Sequence, residues 1–112
     1  MSERLARVSL SRPDERTIVA TVRGEVDASN ADELDEVLDA AAREARRLVV
    51  DLTSVDYLDS HGVRVLQHLA DRHHAGGIEL TLVARRESLA GDLLAITNLA
   101  AGVPVEEPSE QS

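Results

Sequence analysis

Along this chain the apolar positions switch between a spacing of two and a spacing of three to four, and each switch marks an element. Val8 and Leu10 alternate weakly within Leu5 to Ser11, which predicts a first strand. Arg12-Pro-Asp-Glu-Arg16 is turn chemistry: proline fixes one dihedral and aspartate bonds nearby backbone. From Thr17 to Glu25, Ile18, Ala20 and Val22 alternate with Thr17, Val19, Thr21 and Arg23 as a second strand, and Gly24 marks a bend near its end. Two strands across a short polar loop predict an antiparallel hairpin. Helical spacing follows, with Ala31, Leu34, Val37, Leu38, Ala41, Ala42 and Ala45 on one stripe. Its acids (Asp32, Glu33, Asp35, Glu36, Asp39) come first and Arg43, Arg46 and Arg47 last, as the helix dipole favours. Asn30 with Glu33 reads as a capping box, with Ser29 the competing cap. Leu48-Val-Val-Asp-Leu52 predicts a buried parallel strand, and Thr53 to Asp59 a loop.

A second helix, carried by Val63, Leu66, Leu69, Ala70 and His73, starts near Ser60 and stops before Gly76-Gly77. Ile78 to Val83 is another strand, Ser88 to Leu99 a third helix despite Gly91, and Val103-Pro-Val105 a short edge strand. The order predicts a single α/β domain. It has a mixed, mostly parallel sheet of four to five strands, an N-terminal antiparallel hairpin, and about three helices packed as right-handed crossovers. The domain is expected over residues 1–105, with 106–112 a frayed polar tail.

The balance of 12 Lys+Arg against 21 Asp+Glu, a formal net charge of -9, disfavours direct nucleic-acid binding and suits a basic protein partner. Zero Cys excludes disulfides and thiolate metal sites. The lone Tyr57 leaves no row of rings to hold bases or flat cofactors, so no cofactor is expected. No apolar run approaches a membrane span, and Met1 to Leu10 lacks a signal-peptide core, so the domain is expected to be soluble, cytoplasmic and not inserted in a membrane.

Chemistry concentrates in Val55-Asp-Tyr-Leu-Asp-Ser-His-Gly62, which follows a buried strand and opens a helix, where open α/β folds place their sites. Asp59 or Ser60 can cap that helix, whose first N–H groups are expected to be free. An anion on Ser60 would meet the positive helix end and be opposed by Asp56, Asp59 and Asp27. A phosphate there would add about -1.5 to -2 charge. The plainer reading of the same residues is a helix cap beside a turn.

Together, Leu48-Val-Val-Asp-Leu52, Val55-Asp-Tyr-Leu-Asp-Ser-His-Gly62 and Gly76-Gly77 resemble the STAS domain family, in particular its bacterial anti-sigma factor antagonists. Arg23-Gly-Glu-Val-Asp27 ahead of the acidic helix matches the family's other marker. The family's Asp-Ser-(Ser/Thr)-Gly segment falls on Asp59, Ser60, His61 and Gly62. The resemblance implies that Ser60 is the phosphorylation site and that the partner is an anti-sigma factor with serine kinase activity. It further implies that the unphosphorylated form binds this partner and so frees a sigma factor for transcription. The implied partner surface comprises Asp27, Asp56, Leu58, Asp59, Ser60, His61 and Gly62. The protein would be the kinase's substrate and not an enzyme; a weak homodimer is compatible with such a domain. Two features depart from the family: His61 replaces a small hydroxyl residue, and the chain ends soon after Val105, where many relatives continue into a last helix.

Other readings are weaker. His61, His68, His73 and His74 invite a metal, but no His-x3-His pair exists, and solvated helix-face histidines account for them better. A hydrolase would need Ser60 with His61 or His68 and Asp27 or Asp56, yet adjacent residues point about 100 degrees apart on a helix. The Gly-x-Ser-x-Gly elbow is also missing. The competitor on the same fold is a subunit of a lipid-transport ATPase complex or a stress-sensing assembly, in which Ser60 is an interface residue without a phospho-switch.

Overall fold

The computed structural model describes residues 7–85, 87 and 103–108. The hairpin forms as the alternation predicts: β1 (Arg7–Asp14) pairs antiparallel with β2 (Thr17–Val26), and Leu10 lies opposite Ala20. Asp14 closes the turn, accepting from the Arg16 N–H at 2.8 Å and the Thr17 hydroxyl at 3.3 Å. Ile18, Ala20, Val22 and Val26 are buried, so the alternating face of β2 is a core face.

α1 (Ala31–Glu44) buries Ala31, Leu34, Leu38, Ala41 and Ala42, most of the stripe in the sequence, and leaves Val37 38% exposed. The chain returns as β3 (Arg47–Leu58), parallel to β2, then α2 (Ser60–His74), then β4 (Glu79–Val83), parallel to β3. A two-residue β5 (Val105–Glu106) adds to β4 in parallel. The sheet order is β1-β2-β3-β4-β5, with β3 at its centre, and α1 packs against α2. The five strands and the hairpin are as expected. The third helix expected over Ser88 to Leu99 lies outside the described residues.

Two expectations are corrected. Thr53 to Leu58 is not a loop; it continues β3. Thr21 pairs with Asp51, Arg23 with Ser54, Gly24 with Val55, and Glu25 with Tyr57. The partner offset grows by one residue at each of two irregularities, so β3 carries two extra residues. Its buried positions here become Leu52, Val55 and Leu58, three apart, and the period of two that marks a strand is lost.

Asn30 occupies the N-cap of α1, but its side chain makes no cap hydrogen bond. Instead, at 3% exposure, its Oδ1 accepts the Asp27 N–H at 3.0 Å and its Nδ2 donates to the Glu25 carbonyl at 2.8 Å. A buried amide with both ends satisfied fixes the β2–α1 connection more firmly than an exposed capping box would.

Leu48 is 0% exposed on the central strand. Leu48→Ala should cost about 2–5 kcal/mol by lost transfer energy and an unfilled cavity, read as a lower urea midpoint with an unchanged m-value. The backbone N–H of Arg16, then the Thr17 hydroxyl, hold the Asp14 carboxyl below its ordinary value. That depressed pKa gives stability that is present above the ordinary carboxylate value of about 3.9 and lost as pH falls through the lower folded value. Asp14→Asn should therefore lower Tm at pH 7, and the gap to wild type should close in melts between about pH 4 and 2.

Candidate partner-binding site

The site is built where two parallel strands hand over to their helices at one end of the sheet. Val26 and Leu58 are the last paired residues of β2 and β3, and the Asp59 N–H donates to the Val26 carbonyl at 3.2 Å. Asp27 and Asp59 thus leave adjacent strands side by side.

On the first strand's side, Asp27 organises its own loop. Its Oδ1 accepts from the Ser29 N–H at 2.9 Å and the Ser29 hydroxyl at 2.6 Å, and its carbonyl accepts the Ala31 N–H at 2.9 Å. On the other side, Asp59 is the N-cap of α2. Its Oδ1 accepts from the His61 N–H at 2.8 Å and the Gly62 N–H at 3.3 Å, and its carbonyl accepts the Val63 N–H at 3.0 Å. The expectation that the first helical N–H groups are free for an anion is therefore corrected: one carboxylate takes two of them. His61 is drawn back to the same residue, with Nδ1 3.4 Å from Asp59 Oδ2.

Ser60, the first residue of α2, is exposed, and its hydroxyl has no hydrogen-bond partner among the described residues. Arg64, also exposed, follows one helical turn later. Asp56 is exposed too, at the extra residue that separates the Gly24–Val55 and Glu25–Tyr57 pairs.

Leu58 and Gly62 differ from the surface role expected of them. Leu58 is 2% exposed, and Gly62 is buried against it. A Cβ on Gly62 would overlap Leu58 Cδ1 and lie 2.9 Å from Val26 Cγ1. These two residues shape the surface from below. Glycine is required because α2 starts directly on top of the β2–β3 core.

Tyr57, placed in a loop by sequence reasoning, is 44% exposed beside Asp56. Its signal was being the sole Phe, Trp or Tyr residue, three positions before Ser60. Among the histidines, His73 is not merely solvated: its Nδ1 accepts the Leu80 N–H at 3.0 Å, tying the end of α2 to β4. His68 Nδ1 lies 3.4 Å from Asp35 Oδ2, linking α2 to α1. No three metal-ligating side chains converge among the described residues, and no described helix is long and apolar enough to cross a membrane.

A model of the STAS domain family matches residues 11–111. The chain is 32% identical over 76 residues to the anti-sigma-F factor antagonist RsfA of Mycobacterium tuberculosis, an alignment covering 65% of this chain and 59% of that protein. It thus spans about three-fifths of that relative's length. The fold is similar to the crystal structure of an anti-sigma factor antagonist from Mycobacterium paratuberculosis, with a TM-score of 0.82 and 23% identity over 96% of this chain and 90% of that one. It is also similar to unphosphorylated SpoIIAA, with a TM-score of 0.74 and 14% identity over 93% of this chain and 90% of that one. The phosphorylated form of the Bacillus protein gives 0.71 at 15% identity, with 93% of each chain covered.

The Asp59 cap has a measurable consequence. Asp59→Ala should destabilise the protein by about 1 kcal/mol, while Asp59→Asn, which can still accept from the same N–H groups, should lose only a few tenths. Urea unfolding of the two variants separates the cap from the charge.

Proposed function

This chain belongs to the STAS domain family, and on that footing we propose that it is an anti-sigma factor antagonist switched by phosphorylation of Ser60. The observation that carries this reading is the exposed, unpartnered Ser60 hydroxyl at the start of α2, beside a carboxylate that already occupies the helix end.

The proposed cycle follows from charge. In the unmodified state Tyr57, Asp56, Asp27 and the first turn of α2 form a surface that a basic docking face on an anti-sigma factor can cover. Complementary charge speeds the encounter and sets its register. That partner carries the kinase activity and transfers a phosphoryl group from ATP to Ser60 Oγ, whose proton leaves to a base on the kinase. The protein contributes an accessible hydroxyl and no catalytic group.

Once formed, the phosphate finds the His61 and Gly62 N–H groups held by Asp59. It gains little from the helix end and is repelled by Asp59. Two like charges about 5 Å apart cost roughly 1–3 kcal/mol between bulk-water and protein-surface dielectrics. Burying the added dianion under a partner costs more unless an arginine or lysine pairs with it. A hundredfold loss of affinity needs only about 2.8 kcal/mol, so burying the dianion where the docking face sets no arginine or lysine against Ser60 costs enough to release the partner and return the sigma factor to its inhibitor.

The test is a pull-down from the native host with Ser60→Ala and Ser60→Asp baits, with bound proteins identified by mass spectrometry. An ATP-binding serine kinase of the anti-sigma type should be retained by Ser60→Ala and reduced at least tenfold on Ser60→Asp. Equal recovery on both baits would overturn the switch. Recovery of a transport ATPase or a stress-sensing assembly in its place would assign the domain a different job.

A further inference from the structure

At the end of the sheet opposite Ser60, the starts of β2, β3 and β4 and the last turns of both helices enclose an open groove of about 1180 Å³. In a chain of formal charge -9, five of the 12 Lys+Arg residues line it: Arg16, Arg43, Arg46, Arg47 and Arg72. Only Asp14, Glu15 and Glu79 line it with opposite charge.

Two of the arginines have a structural explanation. Arg43 and Arg72 both pair with Asp39, at 2.8 and 3.1 Å, and lie in the last turns of α1 and α2, where cations offset the helix dipole. The other three do not. Arg16 and Arg46 are exposed and have no ion pair among the described residues, while Arg47 reaches Glu79 only at 3.5 Å.

Their backbones are locked together. The N–H groups of Arg46 and Arg47 both donate to the Arg16 carbonyl, at 2.9 and 3.0 Å, and the Arg46 carbonyl accepts the Glu79 N–H at 2.9 Å. Three like charges therefore spring from one node, where Glu79 at 3.5 Å is the one carboxylate in an ion pair with them and Asp14, which feels the charge of Arg47, and Glu15 line the groove nearby. Such clustering is unfavourable in the empty protein and favourable once a polyanion bridges the guanidinium groups.

We propose that this groove binds oligophosphate anions, held by Arg16, Arg46 and Arg47. Guanidinium forks match phosphate oxygens bidentately, and three of them suit a chain of phosphates better than one. No aromatic ring lines the groove, so it offers a base no aromatic platform. The helix C-termini oppose an anion, but Arg43 and Arg72 stand over them. The ligand is either free oligophosphate or the phosphate chain of a nucleotide, and the site does not depend on the Ser60 reading.

The test is an NMR titration of the full chain with sodium tripolyphosphate and, separately, with ATP, at low salt. Backbone shifts should cluster at Arg16, Arg46, Arg47 and Gly76-Gly77, with the two probes binding within about threefold of each other and both weakening as salt rises. The Arg16→Ala/Arg46→Ala double variant keeps the backbone bonds of the node and should bind at least tenfold more weakly. Arg46→Gln alone should show an intermediate loss, and Ser60→Asp should bind as wild type does. Shifts scattered over the surface or centred on α2's first turn would overturn the proposal, as would wild-type affinity in the double variant. ATP binding far tighter than tripolyphosphate would overturn recognition by phosphate alone.

Discussion

The parallel pairing of β2 with β3 is the constraint on which everything else rests. β3 sits at the centre of the sheet and carries two more residues than β2 over the paired stretch. Each extra residue bends and twists the ladder, and the second is Asp56. Without it, strict alternation between Leu52 and Leu58 would bury every second residue. With it, Val55 and Leu58 turn inward while Asp56 and Tyr57 both turn out. The same shift brings Leu58 level with Val26, so that Asp59 can hydrogen-bond across the strands and α2 can begin directly over the core.

That junction leaves little freedom. Gly62 rests on Leu58 and Val26 at a distance no side chain permits, and Asp59 holds the first N–H groups of the helix. On this platform Ser60 is exposed, and its hydroxyl has no partner among the described residues. Under the proposed switch, the cap that stabilises the helix start also sets it against a phosphate. The carboxylate that satisfies the helix end in the unmodified protein is the charge a phosphate would confront.

The charges divide the molecule along its strands. Glu25, Asp27, Asp56 and Asp59 gather where β2 and β3 end, and five arginines gather where the parallel strands begin. Both groups stand against the helix dipoles nearest them only in part. Asp59 caps α2 and Arg43 and Arg72 offset helix C-termini, whereas Asp56, Arg16 and Arg46 have no such local role. Those residues without structural employment mark the two surfaces proposed here for recognition.

The sequence by itself determined the order of the described elements, the core face of β2, most of that of α1, and the Asp59-Ser60 helix start, because these depend on local periodicity and capping chemistry. It also carried the family resemblance in Asp59-Ser60-His61-Gly62. Tertiary structure alone decided the rest. The two irregularities in β3 replaced a period of two by a spacing of three, which made Thr53 to Leu58 look like a loop. Leu58 looked available to a partner because nothing local shows that a helix will sit on it. Asn30 looked like a cap because its buried partners, the Glu25 carbonyl and the Asp27 N–H, are brought to it only by the fold. His73 looked solvated because Leu80, whose N–H it accepts, belongs to the next strand. In each case the deciding contact lies across elements, where no reading of neighbouring residues can reach it.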